Sequence, residues 1–327
     1  MNPPPWRIVF FGTPSFALPT LRILVEGRDE VIAVVTQPDR EKGRGRKVVI
    51  SPVKELALQH GLNILQPEKA KEEAFQEATK ILNPDLFVVA AYGQILPKSV
   101  LSIPKFGAVN VHASILPKYR GAAPIAWAIL NGEKVTGVTT MMMDEGMDTG
   151  DILLQVEIPI GHEETCDRLH DRLASSGAQL LSETLEKMKA GEIRPIPQDH
   201  SKATYAPPLK KEDGYIDWKK GAREIDRQIR AFTPWPGAFT KWNDQLLKIF
   251  KGEIKEGTPA GKPGAVVWIG TDFIEVETGE GLLRIQEVQL EGRKRMAPPV
   301  PPRPGRMARR SVARPAARGV WRWRPRC

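Results

Sequence analysis

Short, mostly apolar runs that alternate with amphipathic stretches constrain the fold of this 327-residue chain more than any other feature. Residues 6–11, 31–36 and 86–91 are three such runs, rich in Val, Ile, Phe and Ala. A strand that is covered by helices on both faces is apolar throughout, whereas a half-exposed strand alternates. The pattern therefore predicts an α/β domain with a doubly wound, mostly parallel, Rossmann-like sheet, in which ligands bind at the carboxyl ends of the strands.

Two polar side chains project from a further apolar run, residues 107–113. Asn110 and His112 are two positions apart, so they share one face of the predicted strand. Pro117 follows and turns the chain, which places both side chains near the carboxyl end of the strand. An Asn or His in such a place is more often a turn cap or a satisfied core residue than a ligand-binding group. The triplet alone therefore leaves a structural role open.

A loop of acids and glycines, residues 143–151, follows about thirty-five residues later and can return a carboxylate to the imidazole. The sequence NVHASILPKYRGAAPI, followed by MDEGMDTGDIL, closely resembles the signature of the folate-dependent N-formyltransferases. That signature joins Asn-x-His, Ser-x-Leu-Pro and a D-x-G-x-D-T-G-D loop. A match of this length and spacing is far more specific than a single glycine motif.

The resemblance implies a catalytic set on Asn110, His112 and Asp148. In that family an amine attacks the formyl carbon of 10-formyltetrahydrofolate, and negative charge develops on the formyl oxygen. Asn110 is then expected to donate an N–H to that oxygen, and His112 to act as a second donor or as the proton carrier. Asp148 is expected to favour the imidazolium and to accept the proton that the amine sheds. The five His and two Cys show no metal-ligand spacing, so no metal is expected.

A glycine-containing loop at residues 92–97 follows the third apolar run, and it resembles the loop that lines the pterin pocket in this family. A glycine turn and a proline at a helix start explain Gly93 and Pro97 equally well. Together with the Ser-x-Leu-Pro motif, the residues expected to contact the folate are Tyr92, Gln94, Ile95, Leu96, Ser114, Ile115, Leu116 and Pro117.

Residues 37–47 contain five basic and two acidic residues among glycines. Such a run is by default a solvated loop, although Arg and Lys also neutralise nucleic-acid phosphates. The segment resembles the insertion loop with which the tRNA-formylating members of the family engage the acceptor end of initiator methionyl-tRNA. That tRNA is therefore the expected formyl acceptor. The expected tRNA contacts are Arg40, Lys42, Arg44, Arg46 and Lys47.

The sequence of the second half of the chain predicts a linker and a second domain. Residues 192–208 are rich in proline and polar side chains, as linkers are, and 209–296 combine one helix with short alternating strands. KKEDGYIDW and IRAFTPWPGAF resemble the second domain of the same transferases, a small OB-like β-barrel. The expected division is a catalytic domain at 1–191, the linker, and the C-terminal barrel.

The net charge of +9 belongs to the last residues, 297–327, which contain nine Arg and no acid. The family resemblance ends near Met296, and this Arg/Pro-rich composition cannot build a core, so the tail is expected to be disordered. Three origins remain open. The tail is an altered-frame end of the coding sequence, a genuine basic tail that binds RNA, or something else.

Two distant cysteines, no apolar run of membrane-spanning length and no signal-peptide pattern predict a cytoplasmic protein, which is expected to be a monomer without a membrane partner. Two other functions stay open. One is a formyltransferase acting on a sugar amine, and the other is a folate- or RNA-binding protein without turnover. The basic loop and the full second domain favour the tRNA acceptor over a sugar amine.

Overall fold

The computed structural model describes residues 4–42, 47–242, 244–257 and 261–298, within a chain that divides into two compact units. The first unit comprises Met1–Ile125, Lys134–Gly161 and Arg168–Pro208, and the second comprises Ala126–Glu133, His162–Asp167 and Leu209–Cys327. The expectations for Arg44, Arg46 and the tail from residue 299 onward fall outside the described residues.

The secondary structure alternates strands and helices in the first unit and is mainly strands in the second. The strands are β1 (Arg7–Gly12), β2 (Glu30–Val35), β3 (Arg40–Lys42), β4 (Lys47–Val49), β5 (Ile64–Leu65), β6 (Leu86–Ala90), β7 (Ala108–His112), β8 (Arg120–Gly121), β9 (Val135–Met142), β10 (Ile152–Pro159), β11 (Tyr205–Ala206), β12 (Ala238–Trp242), β13 (Gln245–Lys255), β14 (Val266–Ile269), β15 (Ile274–Glu277) and β16 (Leu282–Leu290). The α-helices are α1 (Leu18–Glu26), α2 (Pro52–Gln59), α3 (Glu73–Ile81), α4 (Lys98–Leu101), α5 (Pro124–Leu130), α6 (Cys166–Ala190) and α7 (Ala222–Ala231).

The first unit is built on one mixed sheet with the strand order β10-β9-β7-β6-β1-β2-β5. The five strands from β7 to β5 are parallel, while β9 runs antiparallel to both β7 and β10. The mostly parallel, Rossmann-like sheet predicted from the apolar runs is confirmed. From β1 the chain continues to β2 and β5 on one side of the sheet, and it then returns to β6 and β7 on the other side. The loops that follow β1 and β6 therefore lead away from each other and leave a crevice at the carboxyl edge.

The centre of this sheet is apolar because it is covered on both faces. Every residue of β6 is buried, and so are the five residues after Arg7 in β1. Helix α6 packs closely on β7 at Gly177, where an added Cβ would lie 2.8 Å from Val111 Cγ1. The strand that carries Asn110 and His112 is therefore held against a 25-residue helix.

A buried ion pair joins the end of α6 to the start of the sheet. Lys189 Nζ contacts Asp29 Oδ1, which also accepts the Trp6 N–H, and the two charged side chains are 10% and 9% exposed. We expect Lys189→Ala to lower the free energy of unfolding by about 3 kcal/mol, because a buried carboxylate loses its cation. Lys187→Ala, which breaks a half-exposed pair with Glu183 on the same helix, should cost under about 1 kcal/mol.

Chemical denaturation of the two variants measures this difference. Equal losses of stability in both variants would show that the Lys189–Asp29 pair contributes no more than a surface contact.

The second unit contains a five-stranded antiparallel sheet with the order β12-β13-β16-β15-β14. Its core packs Ile225 and Ile229 of α7 with apolar side chains of the sheet such as Leu283. Among the described residues no pairing joins β12 to β14, so the sheet is open. The predicted antiparallel strands are confirmed, whereas closure into a barrel is not.

Candidate active site

Strand β7 presents Asn110 and His112 at the carboxyl edge of the sheet, as the two-residue period predicts. It lies between β6 and β9, with Asn110 opposite Val89 on one side and Met141 on the other. The His112 ring is buried, and its Nε2–H donates to the Tyr119 carbonyl over 3.0 Å. Because that bond occupies Nε2, Nδ1 is the nitrogen that remains for exchange with a ligand.

The Asp148 carboxylate faces this free nitrogen. Its Oδ2 lies 3.7 Å from His112 Nδ1 and accepts the Gly121 backbone N–H over 2.8 Å. The His112 and Asp148 side chains are 7% and 17% exposed, so their interaction is little screened by water. The structure thus brings together two of the three predicted catalytic residues, which are far apart in the sequence.

The Asn110 side chain is half-buried, and its amide has no hydrogen-bond partner among the described residues. An amide in such a position usually finds a partner, because an unmade hydrogen bond is costly. A free amide next to a paired imidazole and carboxylate is therefore available to an oxygen atom of a ligand. It has the donor that stabilises a developing oxyanion.

Three residues other than glycine adopt left-handed backbone conformations in the loops that surround the site. Ala91 has φ 49°, Tyr119 has φ 61° and Asp148 has φ 53°. Such conformations cost free energy and persist only where the surrounding structure imposes them. Tyr119 presents its carbonyl to His112 and Asp148 presents its carboxylate, so this strain lies at the two groups that set the position of the imidazole.

The segment after α6 supports these loops, which its linker-like composition did not indicate. Thr204 accepts the Arg120 N–H at its carbonyl and the Tyr119 N–H at its hydroxyl, each over 2.9 Å. Strand β11 pairs with β8, and an added Cβ at Gly121 would lie 2.8 Å from the Ala206 carbonyl oxygen. Glycine at 121 therefore lets the loop pass close enough to donate its N–H to Asp148.

The predicted folate residues after β6 divide between the core and the surface. Tyr92 is 2% exposed, packs edge-on against Phe11, and burial raises the pKa of its hydroxyl to about 12. Leu96 is buried in the same cluster, and Gln94 accepts the Ala70 N–H over 2.8 Å. Ile95 is 82% exposed and is the side chain of this loop most accessible to a ligand.

The Ser-x-Leu-Pro residues mainly stabilise their own loop. Ser114 donates its hydroxyl to the Lys118 carbonyl over 2.6 Å, and Leu116 packs with Met141 and Ile152. The Leu116–Pro117 peptide bond is cis. Ile115 and Pro117 are half-buried, so their side chains remain accessible in part.

A cavity of about 440 Å³ lies next to the acidic loop. Its walls contain none of the eight predicted folate residues. Across it Lys98 Nζ lies 2.9 Å from Glu145 Oε1, and this hydrogen bond raises the pKa of Lys98. The sequence pattern did not indicate the helical wall, because the residues of α4 carry no motif. The cavity is lined by Lys98, Leu101, Ser102, Met143, Asp144, Glu145 and Gly146.

The basic segment forms the base of a hairpin in which β3 pairs antiparallel with β4. Arg40 is exposed, with its guanidinium 3.9 Å from Glu68, whereas the side chains of Lys42 and Lys47 are outside the described part of the structure, as are Arg44 and Arg46. Asp39 precedes the hairpin, and hydrogen bonds from Lys54 and Gln66 lower the pKa of its carboxyl.

Two features are absent from residues 4–42, 47–242, 244–257 and 261–298. No cluster of three or more His, Cys, Asp or Glu there is arranged to hold a metal ion. Within the same residues, no helix combines the length and the apolar character needed to cross a bilayer.

Solved structures resemble the chain at low sequence identity. WlaRD, a sugar 3N-formyl transferase crystallised with dTdp and 5-N-formyl-THF, matches with a TM-score of 0.66 and 21% identity over 88% of this chain and 99% of that one. HypX from Aquifex aeolicus in complex with tetrahydrofolic acid matches with a TM-score of 0.62 and 20% identity, over 89% of this chain and 46% of that one. These likenesses show the fold.

Sequence comparisons are more specific. Residues 6–185 match the formyl transferase family, and residues 208–300 match the formyl transferase C-terminal domain. The methionyl-tRNA formyltransferase of Citrifermentans bemidjiense is 55% identical over 290 residues, which cover 89% of this chain and 91% of that protein. That of Geobacter metallireducens is 52% identical and covers 89% of this chain and 93% of that protein. With this identity over 89% of its length, the chain belongs to the methionyl-tRNA formyltransferase family.

Proposed function

We propose that the chain transfers the formyl group of 10-formyltetrahydrofolate to the α-amine of initiator methionyl-tRNA, for translation initiation. The observation that carries this proposal is the unpartnered Asn110 amide beside the His112–Asp148 pair, at the ligand-binding edge of the sheet. The names of the relatives support methionyl-tRNA as the acceptor.

The three side chains have complementary tasks in this reaction. As the amine attacks the formyl carbon, a new C–N bond forms, and the Asn110 N–H stabilises the negative charge on the formyl oxygen. The amine must then lose a proton, and the folate nitrogen must gain one as its bond to the formyl carbon breaks. His112 carries this proton through Nδ1, because Nε2 is held by the Tyr119 carbonyl. Asp148 stabilises the protonated ring.

The folate binds beside the acidic loop. A cavity of about 440 Å³ is within the range of small-molecule sites, and it lies next to the loop that carries Asp148. Outside the walls of this cavity, the exposed Ile95 and the half-buried Ile115 and Pro117 remain proposed apolar contacts of the folate, while Tyr92, Gln94, Leu96, Ser114 and Leu116 are proposed to hold the loops that carry them in place.

The tRNA is proposed to bind through the basic hairpin, with Arg40, Lys42, Arg44, Arg46 and Lys47 neutralising phosphates. The second unit is proposed to be an OB-like barrel that adds contacts to the sugar-phosphate backbone of the tRNA, because OB folds commonly bind nucleic acids. The protein is proposed to act as a cytoplasmic monomer.

A formylation assay with competing acceptors tests the function. The full chain, supplied with 10-formyltetrahydrofolate, should produce formyl-methionine on charged initiator tRNA and no formylated product from a sugar-nucleotide amine. A chain that ends at Met296 should behave alike, since the matched formyl transferase domains extend only four residues beyond Met296. Formylation of the sugar amine alone would establish the other transferase activity, and folate binding without product would establish a binding protein.

A further inference from the structure

A single glutamine joins the backbone of the Asp148 loop to the buried interior of the first unit. Gln198 Nε2 donates to the Asp148 carbonyl over 2.9 Å and to the Gly150 carbonyl over 2.7 Å. The two carbonyls lie on either side of Thr149, so one amide group fixes both ends of this turn. Gln198 is 6% exposed, and little water competes for these bonds.

The other end of the same amide is held by a buried arginine. Arg120, which is 2% exposed, donates from Nε over 3.2 Å and from Nη2 over 2.7 Å to Gln198 Oε1. An amide oxygen accepts two hydrogen bonds and an amide NH₂ donates two, so all four positions are used. A guanidinium only donates, so it cannot face the NH₂ group. Arg120 therefore fixes which way the Gln198 amide points.

The Arg120 guanidinium makes its remaining polar contact with a histidine rather than with an acid. Its Nη2 also donates to His200 Nδ1 over 3.1 Å, and this ring nitrogen accepts the bond with its lone pair. Among the described residues no carboxylate lies within ion-pair distance of Arg120. A buried arginine without an acidic partner is costly, which argues that the polar network serves something other than stability.

We propose that Gln198 is a positioning residue for Asp148, with its amide oriented by Arg120. This inference rests on the proposed function, in which Asp148 stabilises protonated His112. Asp148 has φ 53°, a conformation that the loop must impose, and Gln198 supplies the two bonds that hold its carbonyl and that of Gly150. Without them the carboxylate is free to leave Gly121 and His112.

The substitution Gln198→Glu tests this role most directly. A glutamate keeps the partner of Arg120 as an ion pair, but it loses both donors and sets a negative charge against two carbonyl oxygens. We expect kcat to fall about 100-fold, the effect of misplacing a reacting group by about 1 Å, while KM for both substrates changes by less than about threefold. Gln198→Met, which removes the donors without adding charge, should give the same pattern.

Gln228 provides a matched control in the second unit. It is 7% exposed, and its Nε2 donates to the carbonyls of Asp213 and Tyr215 over 2.8 and 3.0 Å. Gln228→Glu therefore makes the same chemical change at a buried amide that also joins two backbone carbonyls. It should lower the melting temperature to a similar degree and leave kcat within about twofold.

A double-mutant cycle with Asp148→Asn separates positioning from a general loss of structure. Single-turnover rates are measured for the parent, Gln198→Glu, Asp148→Asn and the double variant, with melting temperatures to confirm folding. If Gln198 acts through Asp148, Gln198→Glu lowers the rate about 100-fold in the parent and by less than about threefold in the Asp148→Asn background.

Each other outcome has a distinct meaning. Equal rate losses in both backgrounds, or an unchanged rate in folded Gln198→Glu and Gln198→Met, overturn the positioning role. An unchanged rate in Asp148→Asn itself overturns the catalytic role of Asp148 on which the inference rests.

Discussion

Replacing Asn110 with alanine should lower kcat about 100-fold, which corresponds to the loss of one hydrogen-bond donor to an oxyanion, on the order of 3 kcal/mol. The reason is the free state of the Asn110 amide. It has no partner among the described residues, so we expect its N–H to contribute to the transition state rather than to the fold. Binding of the folate in the ground state needs this bond much less, and KM should change little.

Stability measurements distinguish this effect from unfolding. Because Asn110 is half-buried and makes no side-chain hydrogen bond within the described part of the chain, Asn110→Ala should cost under about 1 kcal/mol of stability. Asn63, exposed in the same unit, is a suitable control, and Asn63→Ala should keep full activity. If kcat of Asn110→Ala stays within about threefold of the parent, the oxyanion role is wrong.

Local chemistry explains why part of the site was predictable. The side-chain period of a strand is two, so Asn110 and His112 had to share a face once the apolar run was read as a strand. Local chemistry also marks the start of α2, where the Ser51 hydroxyl accepts the Lys54 N–H, and the end of α6, where Gly191 has φ 69°. These features depend on neighbours a few residues away.

Contacts between distant segments were not predictable in this way. Gln198 lies 50 residues from Asp148, and nothing in the polar, proline-rich sequence around it indicates which backbone carbonyls its amide will meet. The family signature also does not say which way a side chain points. Tyr92 matches the pterin-loop pattern, yet its ring lies in the core, where it packs edge-on against Phe11.

The second unit shows the same limit at the level of the sheet. Alternation predicted short strands in this unit, but it did not predict their number or their order in the sheet. Whether such strands close into a barrel depends on their tilt and register, which are set by pairing across the whole sheet rather than by any one strand. Side-chain periodicity therefore predicts individual strands, but it does not predict whether they close into a barrel.

Replacing Asp148 with asparagine should lower kcat about 1,000-fold, within the usual contribution of general acid–base catalysis. Asparagine has nearly the same shape, and its carbonyl oxygen can still accept the Gly121 N–H, so the loop should keep its structure. What is lost is the negative charge 3.7 Å from His112 Nδ1. That separation is slightly beyond a direct hydrogen bond, as is common before substrate binds.

The expected loss depends on which ring nitrogen of His112 takes up the proton. Since Nε2–H donates to the Tyr119 carbonyl, a proton taken from the amine must reside on Nδ1, directly opposite the carboxylate. A carboxylate at this distance can stabilise the positive charge of the ring while it holds that proton, and its neutral amide replacement cannot. Asp171→Asn, at an exposed carboxylate on α6, should leave kcat within about twofold. If the two variants have equal rates in single-turnover formylation, Asp148 does not stabilise a protonated His112 ring during the reaction.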